Sequence, residues 1–160
     1  MALARAAFDG DSSYEVRAAA VGALVRADSA HAGDVIRAAL AEPSYQDAIQ
    51  NAAFRAIAVR NDTSFIGLVD SLFDANQFPA FVLAALGARG SQRALDLLVR
   101  RLDDGRRAMR DRALQAFRFG MPRPLALARL RSAVDSLSHT DTKQAVADAI
   151  TQLGTAREGE

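Results

Sequence analysis

Few residues in this chain have the type and spacing that chemistry requires. The only imidazoles are His31 and His139. Zinc hydrolysis of the H-E-x-x-H kind needs two histidines four apart on a helix, a glutamate between them as general base, and a third ligand. Neither histidine has another in local reach, and both fall in expected turns between helices, where an exposed imidazole is the ordinary outcome. Cysteine is absent, which removes disulfides, thiolate nucleophiles and cysteine-ligated metals. Ser12, Ser13, Ser44 and Ser91 stand at the starts of helical segments, where a hydroxyl caps orphan amide groups. No G-x-S-x-G or G-x-x-x-x-G-K-[ST] occurs. The paired acids Asp103 and Asp104 have the type for general acid–base work, but read better as a helix end followed by the acid of a repeated motif. The residues therefore predict no catalytic constellation, no metal site and no cofactor in this chain.

Charge distribution is the one feature above background. Residues 89–131 hold twelve Arg and four Asp, whereas the flanking segments are net acidic and the whole balances to +1. A basic stripe of this kind can neutralise phosphate, yet the interleaved residues are Leu, Ala and Val rather than aromatic or base-reading side chains. A solvated face, or a docking face for an acidic neighbouring domain, is the competing reading. Lys143 is the only lysine; the arginine and alanine excess fits the codon bias of a GC-rich genome.

The elements that position these side chains are helices. Half the residues are hydrophobic and aromatics are few, with Ala-rich segments throughout. Alanine is the strongest helix former, and its small side chain lets helices approach closely. Large apolar residues close successive Ala-rich segments at Leu24, Ile57, Leu86, Phe117 and Ile150, with spacings of 33, 29, 31 and 33. Between them lie "DVIRAAL" (34–40), "FIGLVDSLF" (65–73), "ALDLLVRRL" (94–102) and "LALARLRSAV" (125–134). The unit is a helical hairpin, A then B, repeated over roughly 11–43, 44–75, 76–105 and 106–138. A half-repeat follows at 139–154, its A helix over 140–153, with a polar tail at 155–160.

Punctuation agrees with this division. Ser12-x-x-Glu15 and Ser44-x-x-Asp47 have the form of capping boxes. Pro122 and Pro124 fall at the start of the fourth B helix, and Pro79 implies a short third A helix starting near it. In the first A helix, Val16, Ala20, Ala23 and Leu24 have the spacing of one packed face. The first residues, "ALARAAFDG", echo the end of a B helix, so the chain is expected to begin partway through a repeat. They lack the apolar core of a signal peptide, and no apolar run is long enough to span a membrane.

Two segments share a closer pattern. Asp11, Val16, Arg17, Ala20, Ala23 and Leu24 correspond to Asp104, Met109, Arg110, Ala113, Ala116 and Phe117. In the second repeat Gln50 replaces the Arg, and the third and fifth lose both Asp and Arg. Asp11/Arg17 and Asp104/Arg110 are read as rungs of an Asp–Arg ladder between neighbouring repeats. The pattern resembles the A helix of HEAT repeats. That resemblance implies an all-α fold: an α-α superhelix, a HEAT-like solenoid of about four hairpins plus a final helix, in a single domain over 1–154. B helices line the concave side of such arrays, which directs attention to Arg93, Arg100, Arg101, Arg129 and Arg131 as a partner-facing surface; Arg93 and Arg100, seven apart, share a helix face. Arg106, Arg107 and Arg110 lie near the next A helix and fit stacking or solubility.

"DSSYEVRAAAVGAL" followed one period later by "EPSYQDAIQNAAFRAI" also resembles the helical C-terminal region of bacterial zinc aminopeptidases of the aminopeptidase N family. The resemblance implies a non-catalytic domain that packs on a catalytic domain and shapes its peptide-access cavity, with zinc only in that parent domain. Two other readings stay open: a free-standing adaptor for a protein partner, and nucleic-acid binding through the basic stripe.

Overall fold

A computed structural model describes residues 1–155. Among them are ten α-helices, short 3-10 turns and no strand. They are α1 (Ala2–Gly10), α2 (Tyr14–Ala27), α3 (Ala32–Ala41), α4 (Ala48–Arg60), α5 (Ile66–Ser71), α6 (Phe78–Ala88), α7 (Gln92–Arg101), α8 (Arg107–Phe119), α9 (Arg123–Ala133) and α10 (Thr140–Thr155). The helices divide into two compact units, residues 1–62 and 63–160. The final helix runs two residues beyond the expected end, to Thr155; the rest of the polar tail at 155–160 lies outside the described residues.

In the first unit α2 packs against α1, α3 and α4, and α3 against α4. Val21, Leu24 and Val25 of α2, Ile36 and Leu40 of α3, and Ile49 and Ile57 of α4 are buried. The apolar face of α2 is rotated from the expected one. Ala20 and Leu24 are buried, Ala23 is half-buried, and Val16 is 43% exposed because Val21 and Val25 take the inner positions.

The second unit has two rows. The A-type helices α6, α8 and α10 neighbour one another in order, and the B-type helices α5, α7 and α9 do likewise. Each hairpin then joins the rows, α6 to α7 and α8 to α9. Leu83, Leu86, Leu98, Leu102, Phe117 and Leu130 are fully buried. Four of the five periodic anchors are thus core residues; the fifth, Ile150, is half-buried, and Val146 and Ala149 take the inner face of α10.

Two glycines set the tight α6–α7 corner. A Cβ on Gly87 would lie 2.5 Å from Leu95 Cδ2, so the helices can approach this closely only without it. Gly90, at φ +103°, makes the left-handed turn that β-carbon-bearing residues resist. Its N–H donates to Gly87 O at 3.0 Å.

Helix starts follow side-chain capping, with shifts from the expected register. Ser91 caps α7, accepting from Ala94 N at 3.3 Å. The cap of α2 is Ser13 rather than Ser12, and Ser13 Oγ accepts from Val16 N. Ser44 accepts from Ile49 N, five residues on, because Gln46 and Asp47 both adopt left-handed backbone and displace the start of α4. α6 starts at Phe78 with Pro79 in its first turn, and α9 starts at Arg123 between Pro122 and Pro124.

Candidate interaction site

The motif shared by α2 and α8 performs the same local task in both places. Asp11 Oδ1 accepts from Ser13 N at 2.8 Å, and Asp104 Oδ1 accepts from Arg106 N at 2.9 Å. Each Asp thereby folds the turn that opens its helix. Asn76 does this for α6, accepting from Phe78 N at 2.8 Å. The third repeat therefore keeps the turn in amide form, a match that a search for Asp misses.

The Arg six positions on holds backbone carbonyls that precede its own helix, in the last turn of α1 for Arg17 and in the α7–α8 turn for Arg110. Arg17 Nε donates to Phe8 O at 2.9 Å, and Arg110 Nη1 to Asp104 O at 3.0 Å and Gly105 O at 3.3 Å. Gln50 donates to Leu40 O at 3.1 Å, so the amide that replaces Arg in the second repeat retains the bond. Phe8 and Leu40 lie in the last turns of α1 and α3, where carbonyls have no intrahelical donors, and Arg17 and Gln50 supply them. Guanidinium then has donors to spare for an acid. Arg17 Nη2 reaches Glu42 at 2.6 Å, while Arg110 reaches Asp141 at 2.8 Å and Thr142 Oγ1 at 2.7 Å. The rungs therefore run from Arg17 and Arg110 to Glu42 and Asp141, not to Asp11 and Asp104.

Most of the basic segment is engaged in the same manner. Arg101 bonds Asp70 through Nη2 at 2.7 Å and Asp104 through Nη1 at 3.1 Å, and lies 4.8 Å from the centroid of Phe73. Arg106 pairs with Asp74 and Asp104. Arg112 donates to the carbonyls of Phe73, Asp74 and Asn76, past the end of α5. Arg118 bonds Gln152, and Arg123 bonds Leu153 O near the end of α10.

Of the five arginines expected to face a partner, Arg101 is thus a packing residue. Arg129 donates to Gln92 Oε1 at 2.7 Å, joining α9 to α7. Arg93, Arg100 and Arg131 are exposed and make no hydrogen bond or ion pair among the described residues. Arg107 is also exposed and meets only Asp111, at 3.8 Å, so the three unbonded arginines are the cations of this segment least engaged by the fold.

The paired acids belong to the framework as well. Arg106, by hydrogen bonding, holds the Asp104 carboxyl down at about 2. Asp103 accepts from Ser138 N at 2.7 Å and from Ser138 Oγ at 2.8 Å, and these bonds lower its pKa too. A carboxyl held ionised in this way has no proton to donate near neutrality. His31 is exposed and sits 2.7 Å from Asp28, whose pKa it lowers by hydrogen bonding; His139 is half-buried rather than exposed.

One surface had no signal in the charge count. An open groove of about 1120 Å³ runs between α2 and α4, with Tyr14 and Tyr45 of the two "SY" pairs on its rim. Its sequence signature is small residues on the outer faces of both helices, visible only once the two are known to be neighbours.

The described residues thus form an all-helical protein whose arginines staple neighbouring helices and turns. No protein-family model, curated protein or solved structure matches the chain.

Proposed function

We propose that this chain is a non-catalytic helical-repeat scaffold, a HEAT-like solenoid that forms the C-terminal domain of a zinc-dependent aminopeptidase. It packs on the catalytic domain and shapes the cavity through which peptides enter. Zinc belongs to that parent domain. The observation that supports the reading is the recurring side-chain clamp at Arg17, Gln50 and Arg110, which ties α2 and α4 to the last turn of the helix before each and α8 to the turn that leads into it. Stacked hairpins need joints of this kind between neighbours, because a single hairpin cannot cover both its faces. Arg93, Arg100 and Arg131 then serve as the cations that meet an acidic partner surface.

The test is the native protein. An antibody raised to this chain is used to blot a lysate of the source organism, and the captured material is assayed for zinc-dependent aminopeptidase activity. A band several times the size of this chain, with chelator-sensitive activity, is expected. A band of the chain's own size without activity contradicts the aminopeptidase setting and makes the chain a free-standing adaptor. Nucleic-acid binding that falls steeply with salt and is lost on Arg93→Ala/Arg100→Ala would instead replace the protein partner with a polyanion.

A further inference from the structure

The groove between α2 and α4 has a specific chemistry. Its floor includes Ala18, Gly22, Ala52 and Ala56, side chains too small to fill the space between two helices. On its rim Tyr45 and Val59 are 71% and 73% exposed. Residues 1–62 hold six arginines against eight acids, yet this groove is lined by Arg26, Arg55, Arg60 and the single acid Glu15. The local charge is therefore opposite in sign to that of the segment that builds it.

The arrangement is polar along its length. Arg17, near the start of α2, reaches Glu42, which precedes α4. The two helices accordingly run in the same direction, and Arg26 and Arg60, in their last turns, share one end of the groove. Neither Arg26 nor Arg60 makes a hydrogen bond or ion pair among the described residues. α2 is 14 residues long, about 21 Å of helix at 1.5 Å per residue.

We propose that this groove seats an amphipathic helix of a partner protein, with acidic residues at the end that meets Arg26 and Arg60. Two helices side by side present a furrow into which the ridge of a third packs, and small floor residues let it approach closely. Aliphatic side chains at i, i+3 or i+4, and i+7 lie over the alanines, flanked by Tyr14 and Tyr45. Carboxylates of the partner supply the acceptors that the two unengaged guanidinium groups lack. The inference is independent of the aminopeptidase reading and concerns a surface on the first unit alone.

The experiment is selection of a phage-displayed library of random peptides, about 18 residues long, on the full chain. Enriched peptides are then measured by fluorescence anisotropy on wild type, Arg26→Glu/Arg60→Glu and Ala52→Trp, with circular dichroism to confirm that each variant folds. The expected result is enrichment of Asp and Glu together with Leu, Ile or Met at helical spacing, and at least tenfold weaker binding by the double Glu variant, which alters only exposed side chains. Absence of enrichment, enrichment of basic peptides, or binding unchanged by both variants overturns the proposal. So does a concentration-dependent dimer in sedimentation velocity that the same substitutions dissociate, because the occupant is then a second copy of this chain.

Discussion

The two units employ arginine differently. In residues 89–131, Arg101, Arg106, Arg110 and Arg112 are held by two or more acceptors each, carboxylates and backbone carbonyls in or just past the ends of α5 and α7. In the first unit Arg17 alone bridges a helix end and an acid across elements, while Arg26 and Arg60 stand unengaged beside a groove. The segment with the greater positive charge is therefore the one whose charge is more fully consumed by the fold. Counting basic residues overstates what a partner can meet; what counts is the guanidinium left without an acceptor.

The contrast can be broken most strongly at Arg110. Its side chain is 7% exposed and serves two carbonyls, a hydroxyl and a carboxylate. Arg110→Ala strands those acceptors and should cost about 3 kcal/mol in urea unfolding. Arg101→Ala, at a side chain 23% exposed with two acidic partners and an aromatic ring, should cost about 2 kcal/mol by the same measurement. Arg17→Ala in the first unit removes one carbonyl bond and one ion pair, for a loss of about 1.5 kcal/mol. A loss at Arg17 equal to that at Arg110 would erase the distinction between the units.

Acid sharpens the comparison further. The Asp104 carboxyl is lowered from 3.8 to about 2, and Asp74 and Asp141 are lowered by Arg106 and Arg110. A depressed folded-state pKa means that the unfolded chain binds more protons in the interval between the two values. The stabilisation is complete above about pH 4 and is lost as pH falls toward 2. After allowance for solvent screening, Asp104 should account for about 1 kcal/mol of that loss. Urea midpoints at pH 6 and pH 3 should differ less in Asp104→Asn than in wild type.

Much of the helical order was legible from the sequence because it rests on periodicity. Leu24, Ile57, Leu86 and Phe117 recur near every thirty residues and are all buried. Val16 was misplaced because spacing alone cannot say which of two adjacent apolar stripes on a short helix faces inward, and Val21 and Val25 compete for the same side. The motif Arg was recognisable as a repeated residue, but its acceptors were not. Phe8 and Asp104, and Leu40 for the Gln50 that replaces the Arg, contribute backbone carbonyls, which carry no side-chain signature. Arg101 was grouped with Arg93 and Arg100 as an arginine of the same B helix, and the position of Asp70 and Phe73 separates it from them. The groove in the first unit depends on which helices are neighbours, information that no single segment contains.

The central claim is that the arginines of the basic segment divide into a set that holds the fold and a set left for a partner. Urea unfolding of two triple variants tests it most directly. Arg93→Ala/Arg100→Ala/Arg131→Ala should stay within about 0.5 kcal/mol of wild type, as exposed substitutions without partners do. Arg101→Ala/Arg110→Ala/Arg112→Ala should lose about 5 kcal/mol or fail to fold. Comparable losses in the two variants, or a larger loss in the first, would contradict the division and with it the assignment of Arg93, Arg100 and Arg131 to a partner-facing surface.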